Sequence, residues 1–401
     1  MIIKNNYIIK ILGFMSVLTI ISVILKSIFF DKITIFALLI TLLLLGSKEK
    51  SFVNPYYLFV LTPFSLLIYF NVIDSYLLDL THNTYLLAII NIIAFIIGLL
   101  IGPIIKVKNI YNDQLDSKRG IRVKVFILFG LTLIGFFVPF LNSIFWLFSI
   151  PAIVFAFKSK EKKLIMVVAS YILFISTFSL SKTQVLLFIV SILICLNKYY
   201  SFSGKQAIRL KVISSLSIVL LIFSFSFANK ERGSYDAEEG LEYFGREGHD
   251  WKLEADYFLP YMYLVTPWTN LQYVTEKQDT RTFGFWAIKP LINYLQIDKY
   301  FEKEYELISY SNFNTFTFIS VAFKDFGFWL STLSSLILGF FVKKVYCRYL
   351  VSNSPFDTAT YIIFSLATVQ MFFSNHFFML SYPFTMIIIM RITKFFIYGF
   401  K

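Results

Sequence analysis

From Val125 to Phe157 the chain carries no charged residue. Drawn as one helix, that run would be about 50 Å long, well beyond a bilayer core of about 30 Å. Arg122 and Lys124 precede it, and Lys158, Lys160, Lys162 and Lys163 follow it. Basic clusters at both ends place both ends on the same side of a membrane. The segment must therefore cross and return. Two short spans with a turn near Pro139-Phe140-Leu141-Asn142 satisfy this, and a re-entrant hairpin is the alternative. In lipid every backbone polar group needs an internal partner, so helices are the form such a run can take.

Similar runs recur along the chain. Charged residues make up only 15% of it, against about 25% in soluble domains. Spans are predicted at roughly 11–29, 33–47, 54–73 and 85–105, then two within 125–157. Others follow at 164–180, 183–197, 212–228, 316–342, 358–373 and 377–397. The expected fold class is an all-α polytopic membrane protein of about 12 transmembrane helices. Asn54-Pro55 opens the third span, where proline suits a helix start. The first apolar run is followed by Lys26 and Asp31 without a small-residue cleavage site, so a retained span is expected.

Between the ninth and tenth spans lies a polar insertion, 229–314. It holds 9 Lys/Arg and 15 Asp/Glu, a net of −6, which leaves +19 on the rest of the chain. In a soluble protein the overall +13 would point to nucleic acid. Here the positive charge falls in alternate short loops, so membrane topology accounts for it and no nucleic-acid partner is expected. Both termini are then cytoplasmic and the insertion is extracytoplasmic, in the bacterial cytoplasmic membrane. The chain divides into spans one to nine (1–228), the large loop with interfacial helices (229–314), and spans ten to twelve (315–401). Tyr257 to Thr275 has no charge and could be a further span by length. Its prolines, tyrosines and Trp268 instead suggest an interfacial or buried helix resting on the outer surface of the bundle. Cys195 and Cys347 fall near cytoplasmic helix ends, so no disulfide is expected.

Chemistry is expected where the insertion meets the spans. Arg232 stands at the outer end of the ninth span, where a guanidinium suits bidentate phosphate binding or simply anchors the helix. Arg246, Glu247 and His249 combine a phosphate binder, a carboxylate and an imidazole within four residues, or form a solvated turn between Gly245 and Gly248. Arg281, in Asp279-Thr280-Arg281-Thr282, is a third cationic candidate. Lys182 and Lys324 are the cations on the outer side of the spans, and Lys182 reads as a snorkelling anchor. No Walker motif, Asp-x-Asp, His-Glu-x-x-His or Gly-x-Ser-x-Gly occurs. Neither cofactor nor metal is therefore expected.

The insertion ends in Asn312-Phe313-Asn314-Thr315-Phe316-Thr317, followed by Lys324-Asp325-Phe326-Gly327. With many spans and one large late outer loop, this resembles the oligosaccharide repeat-unit polymerases, the O-antigen polymerase (Wzy) family. The resemblance in layout covers the whole chain, while the motif covers 312–327. It implies a GT-C-like membrane glycosyltransferase using an undecaprenyl-pyrophosphate-linked oligosaccharide, in contact with membrane lipid and a chain-length-regulating co-polymerase. Arg232, Arg246, Arg281, Lys324, Asn312 and Asn314 would then bind pyrophosphate and glycan. Glu247, His249 or Asp325 would accept the acceptor hydroxyl's proton, with capping of a helix starting near Phe326 as the competing role of Asp325. An O-antigen ligase-like enzyme shares the layout and donor. A flippase for the same lipid-linked sugars is the non-enzymatic alternative, which short loops and polar spans would favour.

Overall fold

The computed structural model describes residues 5–49, 51–69, 80–102, 118–137, 148–178, 182–200, 258–276, 281–294, 315, 317–373 and 383–398. Among these residues the chain is all helical, with no strand. The ninth span (212–228), most of the insertion and the turns at 139–142 and 374–376 lie outside them.

Helix α1 is Asn5–Leu25 and α2 is Ile28–Ser47. The third span is split into α3 (Pro55–Phe59) and α4 (Leu61–Tyr69). Its start follows the sequence: Pro55 is the first helical residue and the Asn54 side chain accepts from the Tyr57 amide at 3.1 Å. Asn54 Nδ2 also donates to the carbonyls of Gly46 and Ser51, so one buried side chain ties α2 to α3. Helix α5 (His82–Ile101) follows, then α6 (Lys118–Phe137), α7 (Ser149–Ser159), α8 (Lys162–Phe178) and α9 (Lys182–Tyr199). Among its described residues the uncharged run thus holds parts of two helices. From the insertion come α10 (Phe258–Glu276) and α11 (Phe285–Tyr294). The chain closes with α12 (Phe318–Val351), α13 (Pro355–Val369), a single turn of tighter helix at Gln370–Phe372, and α14 (Pro383–Tyr398).

Among the described residues three helices are long and apolar enough to cross a membrane: α2, α5 and α12. They run parallel. Asp31 near the start of α2 meets His82 at the start of α5, with Oδ2 and Nδ1 3.0 Å apart. Halfway along, Ser335 of α12 donates to Asn91 Oδ1 of α5 at 2.6 Å. Further on, Gly98 of α5 lies against Leu336 and Gly339 of α12, and Gly102 against Lys343. A methyl group on Gly98 would sit on the carbonyl oxygen of Leu336, and one on Gly339 on that of Phe95. The two backbones touch because neither residue has a side chain, which is how helices associate where lipid removes the hydrophobic drive. At the far end Lys343 donates to Glu49, just beyond α2, at 2.6 Å. The Lys343 ammonium also lies 5.1 Å from the rings of both Tyr56 and Tyr346.

Two large apolar clusters make most of the core, with a small third of Val274, Trp286 and Val321 beside the Gly327 break. One gathers Leu42, Phe59, Phe95, Trp268 and Phe318 from α2, α3, α5, α10 and α12. The other packs α6–α9 against α13 and the end of α12, through residues such as Val154, Ile194, Tyr349 and Ile362. Cys195 and Cys347 are unbridged, as expected.

Helix α10 does not rest on the outside of the bundle. Met262, Val265, Trp268, Asn270 and Leu271 are fully buried, which places it inside the first cluster. Its polar groups explain why it can be there. Trp268 Nε1 donates to Ser65 Oγ at 3.0 Å, Asn270 Nδ2 donates to the Thr315 carbonyl, and the Thr84 and Thr275 hydroxyls are 2.8 Å apart. A neutral polar helix with each of these groups partnered can be buried at little cost.

The helix of the tenth span runs on beyond residue 342. Helix α12 has 34 residues and runs past Lys343, Lys344 and Arg348. It is broken at Gly327, whose φ of 78° and ψ of −170° lie in a region that essentially only glycine occupies.

Candidate functional site

The break in α12 is where Arg281, the described candidate of the insertion, meets that helix. The chain from Arg281 to Gly284 lies along α12 just before the break. The Thr282 amide donates to the Lys324 carbonyl at 3.3 Å and the Phe283 amide to the Asp325 carbonyl at 3.1 Å. Phe283 has a left-handed φ of 46° and an almost fully exposed side chain. That bend turns the chain into α11.

Asp325 fixes the bend. It is fully buried, and both carboxylate oxygens are engaged. Oδ1 accepts from the Thr282 hydroxyl at 2.6 Å and the Trp286 amide at 3.1 Å, and Oδ2 accepts from the Ala287 amide at 2.9 Å. Two of these donors are first-turn amides of α11, which lack partners within their own helix. Asp325 therefore caps α11 from a distant part of the chain. The helix expected to begin near Phe326 instead begins at Phe318 and runs through Asp325, so a local cap is not what this carboxylate provides.

Arg281 is exposed and held at the break. Its Nη1 donates to the Phe323 carbonyl at 2.9 Å and its guanidinium carbon lies 4.9 Å from the Phe323 ring centre. The guanidinium also covers Gly327, where a methyl group would come within 3.0 Å of its central carbon. The absence of a side chain at Gly327 is thus required twice, by its backbone angles and by Arg281. Lys324 is 7% exposed, and lies near enough to Arg281 for their charges to interact. On α11, Lys289 stacks on the Trp286 ring with its ammonium 3.8 Å from the centre. Burial holds its pKa below the ordinary lysine value.

Of the residues singled out in the sequence, Arg281, Lys324 and Asp325 are therefore brought together. Arg232, Arg246, Glu247, His249, Asn312 and Asn314 lie outside the described residues, as does the side chain of Lys182. Thr282 and Gly327 emerge as parts of the arrangement that sequence reasoning quoted but gave no role. The signal for Gly327 was present, since a glycine within an apolar helical run marks a possible break.

The site is a cationic edge, an exposed guanidinium with a buried ammonium beside it, on an elbow at the end of the bundle that also holds Asp31 and His82. Such an edge suits an anion with several oxygens, and the guanidinium's fork suits two of them at once. No family model, curated protein or solved structure matches the chain.

Proposed function

We propose that this chain polymerises lipid-linked oligosaccharide repeat units by glycosyl transfer at the outer face of the bacterial cytoplasmic membrane. The observation that carries the reading is the convergence of Arg281 and Lys324 at the Gly327 break, inside the stretch that resembles the repeat-unit polymerases. In this reading the two cations stabilise the departing undecaprenyl pyrophosphate, whose charge develops in the transition state. Arg232 and Arg246 of the insertion act with them, and Asn312 and Asn314 hold the glycan. Asp325 positions the cations by fixing the elbow. Proton acceptance then falls to an imidazole or another carboxylate, with Glu247 and His249 as the candidates of the insertion.

The topology that goes with this reading has about 12 spans, a GT-C-like arrangement and the insertion outside. The parallel course of α2, α5 and α12 supports it. These correspond to the second, fourth and tenth spans, which alternate crossing requires to run in one direction. A membrane co-polymerase that sets chain length is the partner expected from the resemblance.

The reading is tested by complementing a deletion strain with wild type, Arg281→Ala and Lys324→Ala and resolving the surface glycan on a gel. Wild type restores a ladder, and a well-expressed Arg281→Ala chain leaves single repeats. Accumulation of lipid-linked units on the cytoplasmic face alone in the deletion strain would instead favour a flippase. Complete polymer that fails to reach its final acceptor would favour a ligase.

A further inference from the structure

A second polar constellation shares the end of the bundle with the cationic edge. Asp31 is fully buried at the start of α2, and His82, at the start of α5, keeps 18% of its side chain exposed. An ionised carboxylate only accepts hydrogen bonds, so the 3.0 Å contact places the proton of a neutral imidazole on Nδ1. Nε2 is then the acceptor, on a ring whose tautomer and direction are fixed from beneath.

The register of the parallel helices puts this pair within about a turn of the level of the break. Asn91 of α5 meets Ser335 of α12. Seven residues back along each helix, about 10 Å, stand Thr84 and Phe328, the residue that follows Gly327. His82 lies two residues further back on α5. Helix α10 links the two places. The Thr81 amide donates to Gln272 Oε1 at 3.1 Å, Thr84 meets Thr275, and Arg281 follows Thr275 by a stretch that spans at most about 20 Å.

We infer that His82, oriented by Asp31, is the general base of the proposed transfer; the inference rests on the polymerase reading above. The acceptor sugar's hydroxyl oxygen bonds to the donor's anomeric carbon. The bond from that carbon to the pyrophosphate oxygen breaks, and its electron pair leaves with the pyrophosphate beside Arg281. The hydroxyl proton passes to His82 Nε2. Asp31 is a positioning residue, since it acts through the imidazole. The contact ties α2 to α5, and it also fixes the imidazole in tautomer and direction, as a base must be before substrate arrives.

The experiment uses the full chain in proteoliposomes, with undecaprenyl-pyrophosphate-linked repeat units extracted from a strain in which the chain is deleted. His82→Asn keeps a donor for Asp31 but has no counterpart of Nε2. The base role predicts that His82→Asn loses polymerisation about 10²–10⁴-fold at unchanged yield and unchanged thermal stability. It also predicts that imidazole added to His82→Ala restores a measurable part of the rate, and that Asp31→Asn lowers kcat with KM preserved. If His82→Asn polymerises within about threefold of wild type, the base role falls and the polymerase reading stands. If His82→Asn is poorly folded, His82→Ala with imidazole decides: restoration supports the role and no restoration overturns it. If folded wild type joins no repeat units at all, the polymerase reading falls and takes this role with it.

Discussion

The Ala287 amide donates to Asp325 Oδ2 at 2.9 Å, so the first turn of one helix is capped from within another. The bond joins a residue of the insertion to a residue of the spans. It makes the position of α11 depend on a single buried carboxylate. Asp325→Ala would strand three donors in a buried place. Each stranded group costs about 1–3 kcal/mol, so a loss of several kcal/mol is expected. Thermal unfolding in detergent reads the loss, and Asp325→Asn, which can still accept, recovers part of it. Unchanged melting of Asp325→Ala would show that the cap is dispensable.

Gly327 should tolerate no side chain. Gly327→Ala forces a residue with a Cβ into a glycine-only backbone region, at about 1–3 kcal/mol, and pushes on the Arg281 guanidinium. In the complementation assay its ladder should shorten even at temperatures where protein level is unaffected. Normal ladders from Gly327→Ala would mean that Arg281 need not sit where it does.

The α5–α12 contact predicts a size effect rather than a polarity effect. Gly98→Leu or Gly339→Leu must separate the two backbones, and overpacking of this kind costs about 1–3 kcal/mol or more. Yield of folded protein in membranes should fall for each. The double variant should be less than additive, because one separation serves both side chains. Full additivity would show that the two glycines do not share a contact.

Glu49 and Lys343 form a pair whose side chains are only 19% and 13% exposed. Replacing one partner leaves the other's charge poorly solvated, at about 3 kcal/mol, while replacing both costs less. Glu49→Gln, Lys343→Met and the double variant, compared by thermal unfolding, measure the coupling directly. Equal losses for single and double variants would place the pair in effective contact with water.

Arg281→Lys separates charge from shape. An ammonium keeps the charge but cannot engage two pyrophosphate oxygens through a planar fork. Polymerisation by Arg281→Lys should lie between wild type and Arg281→Ala when assayed in proteoliposomes. Full activity would show that a point charge suffices.

Much of the helical layout was legible because lipid imposes one rule, and apolar runs bounded by charge obey it. What escaped was information held between segments. Tyr257 to Thr275 is neutral and aromatic, which fits an interface as well as an interior; the decision lies with Ser65, Thr84 and Thr315, which only folding brings near. The helix of the tenth span continues past Lys343 and Lys344, which bound its apolar run. The structure gives Lys343 a carboxylate and two aromatic faces, so the helix continues. At the site, Arg281, Lys324 and Asp325 were each visible as unusual residues beside apolar sequence. Their convergence was not, because about forty residues separate the two stretches and no local pattern encodes a cap that reaches across them.

The polar pairs at the two ends of α2 have one more consequence. Asp31 and Glu49 are eighteen residues apart, about 27 Å along a helix, which is close to the thickness of a hydrocarbon core. Each is locked to a partner on a neighbouring helix, so the polar edges of the bundle cannot slide relative to one another. The protein therefore carries its own ruler. A hydrocarbon core thicker than this belt must thin around it, because lengthening the belt would mean breaking one of the pairs.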